Sequence, residues 1–177
     1  MNKRRKIDFV LEEDDFEKVV FRFYPRQSSC HSFGDEPPKS HEDVYKVYFY
    51  YKVIKYYKDD DGNIETYYIL FDSECDECSL IGEVAARLKY LSEDKKEVTV
   101  NYHNTTYTVQ LLDNEIFTAA YCVRWNIKEH SDCYKFELFR THDDVGYRFW
   151  LDKEKAYEFG AYLNYCCEYM LEHGDPI

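Results

Sequence analysis

The sequence predicts an α+β fold. It is read as a single domain over residues 1–177, with an antiparallel sheet of about seven or eight strands and two helices packed on one face. Three observations predict it. Short segments alternate apolar and polar residues with the period of a half-buried strand, as in Tyr134, Phe136 and Leu138 against Lys135 and Glu137. Two segments, near 75–91 and 153–172, instead repeat apolar residues at helical spacing. The turns between strands are short and carry Asp-Gly or His-Asn chemistry, which favours antiparallel neighbours.

Taken in order, residues 1–6 form a frayed basic start, and Ile7 to Leu11 a short strand. Val19, Phe21 and Phe23 alternate with Val20, Arg22 and Tyr24, and Pro25 ends that strand. Residues 26–43, rich in Ser, Gly and Pro, form one long loop. Val44 to Lys58 is a long strand. Tyr45, Val47, Phe49, Tyr51 and Val53 face the core, and Lys46, Tyr48, Tyr50, Lys52, Ile54, Tyr56 and Lys58 face away. Asp59-Asp60-Asp61-Gly62-Asn63 is a hairpin turn and Ile64 to Phe71 the return strand.

Asp72 to Ser79 opens the first helix, whose stripe is Leu80, Ile81, Val84, Leu88 and Leu91. Carboxylates at 72, 74, 76 and 77 then complement its N-terminal dipole. Val98 to Tyr102 and Thr105 to Leu111 make a tight hairpin. Ala119 to Ile127 is one strand, and Glu129 to Asp132 turns it into the strand from Cys133. His142 to Gly146 turns into a last strand, with Gly146 free to take positive φ. Asp152 caps the final helix, whose stripe is Ala156, Phe159, Gly160, Leu163, Cys167, Met170 and Leu171, and Gly174 followed by Pro176 ends it.

The chain carries a formal net charge of −12 and 19 tyrosines. The acid is concentrated: residues 59–97 hold 4 Lys/Arg against 12 Asp/Glu, and residues 129–177 hold 5 against 11. Such a field repels anionic surfaces and attracts basic ones. Neither nucleic acid nor a membrane is therefore an expected direct partner, and no apolar run reaches the roughly 20 residues of a membrane span. Seven cysteines without a secretory leader read as reduced, cytoplasmic thiols.

No spacing spells out a catalytic centre: G-x-S-x-G, H-E-x-x-H, a P-loop and G-x-G-x-x-G are missing. Cys75 and Cys78 form a lone C-x-x-C pair, whose completion as a zinc site needs Cys30 and His31 folded over it. No enzyme activity, cofactor or metal is expected. The reading is an acidic protein-binding inhibitor of a basic partner. That partner is either a nucleic-acid enzyme, blocked in the manner of DNA-mimic anti-CRISPR proteins, or a toxin neutralised by an immunity protein. This is an analogy of physical type. The expected contact residues are Asp59, Asp60, Asp61, Glu74, Asp76, Glu77, Asp143 and Asp144, with Tyr48 and Tyr50. Two alternatives stand beside it: a nucleic-acid module using the Tyr/Lys face of strand 44–58, and a Cys/His metal-dependent enzyme.

Overall fold

The computed structural model describes residues 7–24, 26–27, 48–71, 75–90, 97–102, 105–110, 115–119, 123–143, 145–173 and 175–176. The expectations at 1–6, Pro25, 28–47, Asp72, Glu74, Leu91, His103, Asn104, Leu111, Asp144 and Gly174 lie outside these residues. The strands are β1 (Ile7–Glu13), β2 (Glu17–Tyr24), β3 (Arg26–Gln27), β4 (Tyr48–Lys58), β5 (Ile64–Leu70) and β6 (Cys75–Glu77). After helix α1 (Cys78–Tyr90) come β7 (Glu97–Tyr102), β8 (Thr105–Gln110), β9 (Glu115–Ala119), β10 (Val123–Glu129), β11 (Cys133–Arg140) and β12 (Gly146–Asp152). Helix α2 (Lys153–His173) and β13 (Asp175–Pro176) follow.

The fold is α+β with two helices, but the strands do not form one sheet of seven or eight. The larger sheet runs β1-β2-β4-β5, with β6 also paired to β4; a second runs β12-β11-β10-β9. The β7–β8 hairpin stands as its own pair, and β13 lies parallel to β3. Local alternation names the buried face of each strand but not its neighbour, so one sheet and two sheets look alike in sequence. Nor do the helices lie on one face of one sheet. They pack against each other and share a single core with the inner faces of both sheets.

That core explains the alternation. Phe21, Phe23, Tyr51 and Val53 come from the larger sheet, and Val123, Trp125, Ile127, Phe136, Leu138, Phe149 and Leu151 from the smaller one. The two sheets meet through rings: Trp125 lies 5.7 Å from Tyr51 and 6.0 Å from Phe21, and its Nε1 donates to the Tyr51 hydroxyl at 3.1 Å. Helix α1 adds Ile81, Val84, Ala85 and Leu88, and α2 adds Ala156, Phe159, Leu163, Cys166 and Cys167. Asp152 caps α2 as its chemistry predicts, accepting the Lys155 N–H at 2.8 Å.

Several expectations are corrected. Asp76 and Glu77 belong to β6, which pairs with Tyr48–Tyr50, and α1 begins only at Cys78 with no acidic residue in its first turn. Those two carboxylates thus stand just ahead of the helix N-terminus, in a strand rather than in the first turn. The segment from Ala119 to Ile127 is not one strand: β9 ends at Ala119 and returns antiparallel beside β10. Gly146 does not take positive φ; Gly62 does, at 80° in the Asp59 hairpin. Gly146 is required for space, because a Cβ there would sit 2.0 Å from the Leu138 carbonyl oxygen and 2.5 Å from the Phe139 ring. Phe71 holds φ at 60°, a left-handed backbone stabilised by burying its ring at the end of β5.

One irregularity positions the site. The β1–β2 ladder shifts register between Val10 and Glu12, so Leu11 is the extra residue of a bulge. Leu11 turns into the core, and Glu12 shares a face with Val19, where the Tyr147 hydroxyl of β12 donates to it. Lys155 of α2 donates to the Leu11 carbonyl at 2.8 Å.

Candidate functional site

The β1–β2 turn and the β4–β5 hairpin lie side by side at one end of the larger sheet, because β4 runs antiparallel to β2. Lys58 joins them. Its backbone N–H donates to the Phe16 carbonyl at 2.7 Å, and its Nζ donates to the Asp14 carbonyl at 2.7 Å and to Glu13 Oε1 at 3.1 Å. The rim so formed gathers Glu12, Glu13, Asp14, Asp15, Glu17, Asp59, Asp60 and Asp61 around Lys18, Lys55 and Lys58. Phe16 stands 71% exposed on it and Ile64 56%, with Tyr57, Tyr67 and Tyr68 also exposed along β4 and the edge strand β5. Apolar side chains thus stand exposed among solvated carboxylates on this rim.

The carboxylates divide into turn builders and free charge. Asp14 Oδ1 accepts the N–H groups of Phe16 at 2.8 Å and Glu17 at 2.7 Å, and these bonds hold its carboxyl below the usual range. Asp59 accepts Asn63 Nδ2 at 3.1 Å and the N–H groups of Asn63 at 2.7 Å and Asp61 at 3.0 Å; the Asn63 contacts do most to lower its carboxyl. The Lys58 ammonium lowers Glu13. Lys55 is raised by its bond to Glu17, 2.7 Å away. Asp15, Asp60 and Asp61 project into solvent with their charge uncommitted to a turn bond.

Of the expected contact residues, the structure thus brings Asp59, Asp60 and Asp61 to this rim. Asp143 is elsewhere and differently employed: Arg140 grips both its oxygens, and the Val145 N–H donates to it at 3.1 Å. Desolvation raises its carboxyl, and the Val145 and Arg140 contacts outweigh that and leave it lowered. It builds a turn. His142 Nε2 lies 3.7 Å from Asp143, whose oxygens Arg140 already occupies. In the β4–β6 backbone ladder Tyr48 pairs with Glu77, Phe49 with Asp76 and Tyr50 with Cys75, and the side chains of Asp76, Glu77, Tyr48 and Tyr50 lie outside the described set. Glu74 and Asp144 are outside it entirely.

Sequence reading missed Glu12 to Glu17 as part of this surface. Their neighbourhood with the Asp59 turn depends on β2–β4 pairing, which no local pattern announces.

The outer face of β4 is the alternative site. Cations of β4 and of its neighbour β2 are engaged with β1 carboxylates there: Arg22 of β2 binds Asp8 at 2.6 and 2.7 Å and reaches the Tyr56 hydroxyl at 3.0 Å, while Lys58 of β4 and Lys18 of β2 meet Glu13. Val20 and Ile54 are buried beneath them. Among the described residues, no three His, Cys, Asp or Glu side chains converge to hold a metal ion, and no helix is long and apolar enough to cross a membrane. Compared with known protein families, curated protein sequences and solved structures, the chain matches none.

Proposed function

We propose that this protein is an acidic binding protein that docks on a basic partner through the rim of the larger sheet and blocks it. The observation that carries the reading is Lys58, which ties two turns into one surface. Asp15, Asp60 and Asp61 supply the charge there, and Phe16 and Ile64 the apolar contact. Exposed carboxylates speed association with a Lys/Arg surface, and desolvated rings slow dissociation. A nucleic-acid enzyme fits the chemistry, since carboxylates at such a rim occupy the place of phosphates; a basic toxin fits it equally.

The test is paired capture from a cell lysate. Wild type and two variants, Asp15→Asn/Asp60→Asn/Asp61→Asn and Phe16→Ala, are immobilised side by side. A basic protein held by wild type, eluted by salt, displaced by nucleic acid or inhibited in its own assay, and lost from both variants is the expected result. Equal capture by all three chains overturns the reading.

A further inference from the structure

The outer face of the second sheet has the opposite character. Strand register sets out three cross-strand rows: Glu115–Lys128–Lys135–Trp150, Phe117–Asn126–Glu137–Arg148 and Ala119–Arg124–Phe139–Gly146. Both helices pack on the inner side, with Trp125, Phe136 and Phe149, so neither covers this face; on it Lys128, Arg148 and Trp150 are exposed, while Arg124 Nε and Asn126 Oδ1 are buried. Trp150 is 47% exposed on it, with the His130 ring 5.0 Å away and the Lys135 ammonium 6.0 Å from its ring centre.

Four cations, Arg124, Lys128, Lys135 and Arg148, share this face with one carboxylate among the described side chains of its interior, Glu137. Glu137 acts as their scaffold: Lys135 Nζ lies 2.8 Å from it and Arg148 Nε 2.6 Å, with Asn126 Nδ2 at 3.4 Å. Glu115 and Asp152 mark two edges, and Asp152 is committed to the α2 cap. Lys128 stands directly opposite Lys135. Like charges so placed destabilise a sheet, and an anion between them removes the repulsion.

We propose that this face binds single-stranded nucleic acid, with a base stacked on Trp150 and phosphates held by Lys128, Lys135 and Arg148. Exposed aromatics on four-stranded sheets stack unpaired bases, about one base to a ring, whereas a duplex hides the base faces that Trp150 needs. The net charge of −12 does not forbid it. Screening confines each charge to about 8 Å at physiological ionic strength, and Glu12, the rim carboxylate nearest β12, meets Tyr147 on the inner side of the sheet. The proposal does not rest on the acidic rim.

The chain's own fluorescence tests it. Of its two tryptophans, Trp125 is fully buried and Trp150 exposed, so quenching on ligand addition reports Trp150. Oligouridylate and oligothymidylate of about 12 nucleotides are titrated against the whole chain. Saturable quenching by either strand is expected, as is little response to a duplex. Affinity falls with salt at a log–log slope near about −2, for about three phosphates contacted. Trp150→Ala weakens binding about tenfold, read by anisotropy of a labelled strand. Lys128→Glu with Arg148→Glu abolishes it, while Asp60→Asn leaves it unchanged. The unshifted emission of Trp125 in Trp150→Ala confirms that the variant is folded. No quenching by either strand, or equal affinity of Trp150→Ala and wild type, overturns the proposal.

Discussion

Phe159 lies where both sheets and α2 meet, and truncating it tests whether the molecule has one core or two. Its ring centroid is 5.0 Å from Phe9, 5.4 Å from Phe21, 5.8 Å from Phe136, 6.2 Å from Phe149 and Tyr162, and 6.4 Å from Trp125, on which it stacks. The side chain is fully buried. Withdrawing a phenyl group from such a site loses about 1.5–3 kcal/mol of transfer free energy, and the cavity left behind brings Phe→Ala changes to about 3–5 kcal/mol. The neighbours sit on β1, β2, β10, β11 and β12, each held in register by a ladder, so the walls close in little and the upper half applies. Phe159→Ala should therefore cost about 4 kcal/mol, which in a domain of this length lowers Tm by about 8–16 °C. Phe159→Leu should cost about 1–2 kcal/mol. Urea unfolding followed in parallel by Trp125 emission and by far-ultraviolet circular dichroism is the assay. The reasoning is refuted by a loss below about 1.5 kcal/mol, or by one sheet melting while the other persists.

The remaining predictions are simpler. Gly146→Ala pushes a methyl group into the Leu138 carbonyl, so the β11–β12 ladder must shift; a loss above about 2 kcal/mol in thermal unfolding is expected, larger than Gly62→Ala, where the new methyl meets open space and only the backbone is strained. Asp152→Ala removes the α2 cap and should cost about 1 kcal/mol by the same measurement, with Asp152→Ser recovering most of it. Stability should be flat at neutral pH and fall at both extremes. Asp14, Asp59, Glu13, Glu137 and Asp143 have lowered carboxyls, so their contribution is complete above their ordinary values of 3.8 to 4.5 and lost as pH drops through the lower folded ones. Tyr134 is pushed up to about 12 by burial and by Glu129, so its contribution is complete below 10.0 and lost as pH rises through about 12. A urea midpoint that rises on acidification below pH 4 would contradict the acid limb.

Much of the secondary structure was legible because each strand has one wet face. Tyr134, Phe136 and Leu138 read as buried and are buried; Asp152 read as a cap and is one. Pairing was not legible. Trp125 and Phe21 carry the same alternating signal, yet one belongs to each sheet, and only tertiary packing separates them. The β6 strand was hidden because Cys75-Asp76-Glu77 runs directly into the α1 stripe and offers no break. Of the acidic surface, the Asp59 hairpin was found from its turn chemistry and the Asp14 turn was not, since its value lies in a neighbour distant in sequence. The cationic sheet face was invisible to a charge count, which sums Arg124, Lys128, Lys135 and Arg148 into a chain dominated by acid.

The extra residue at Leu11 acts as a phase shift in the first strand. Before it, odd-numbered side chains look inward; after it, Glu12 does, and so becomes available to the Tyr147 hydroxyl. Removing Leu11 would leave Val10 opposite Val20 and Glu12 opposite Val19, so Glu12 and Glu13 would keep their faces, but the core would lose the Leu11 side chain and Lys155 the carbonyl to which it donates. One added residue thus lets the strand bury a leucine in the shared core while the pairing with β2 continues on both sides of it.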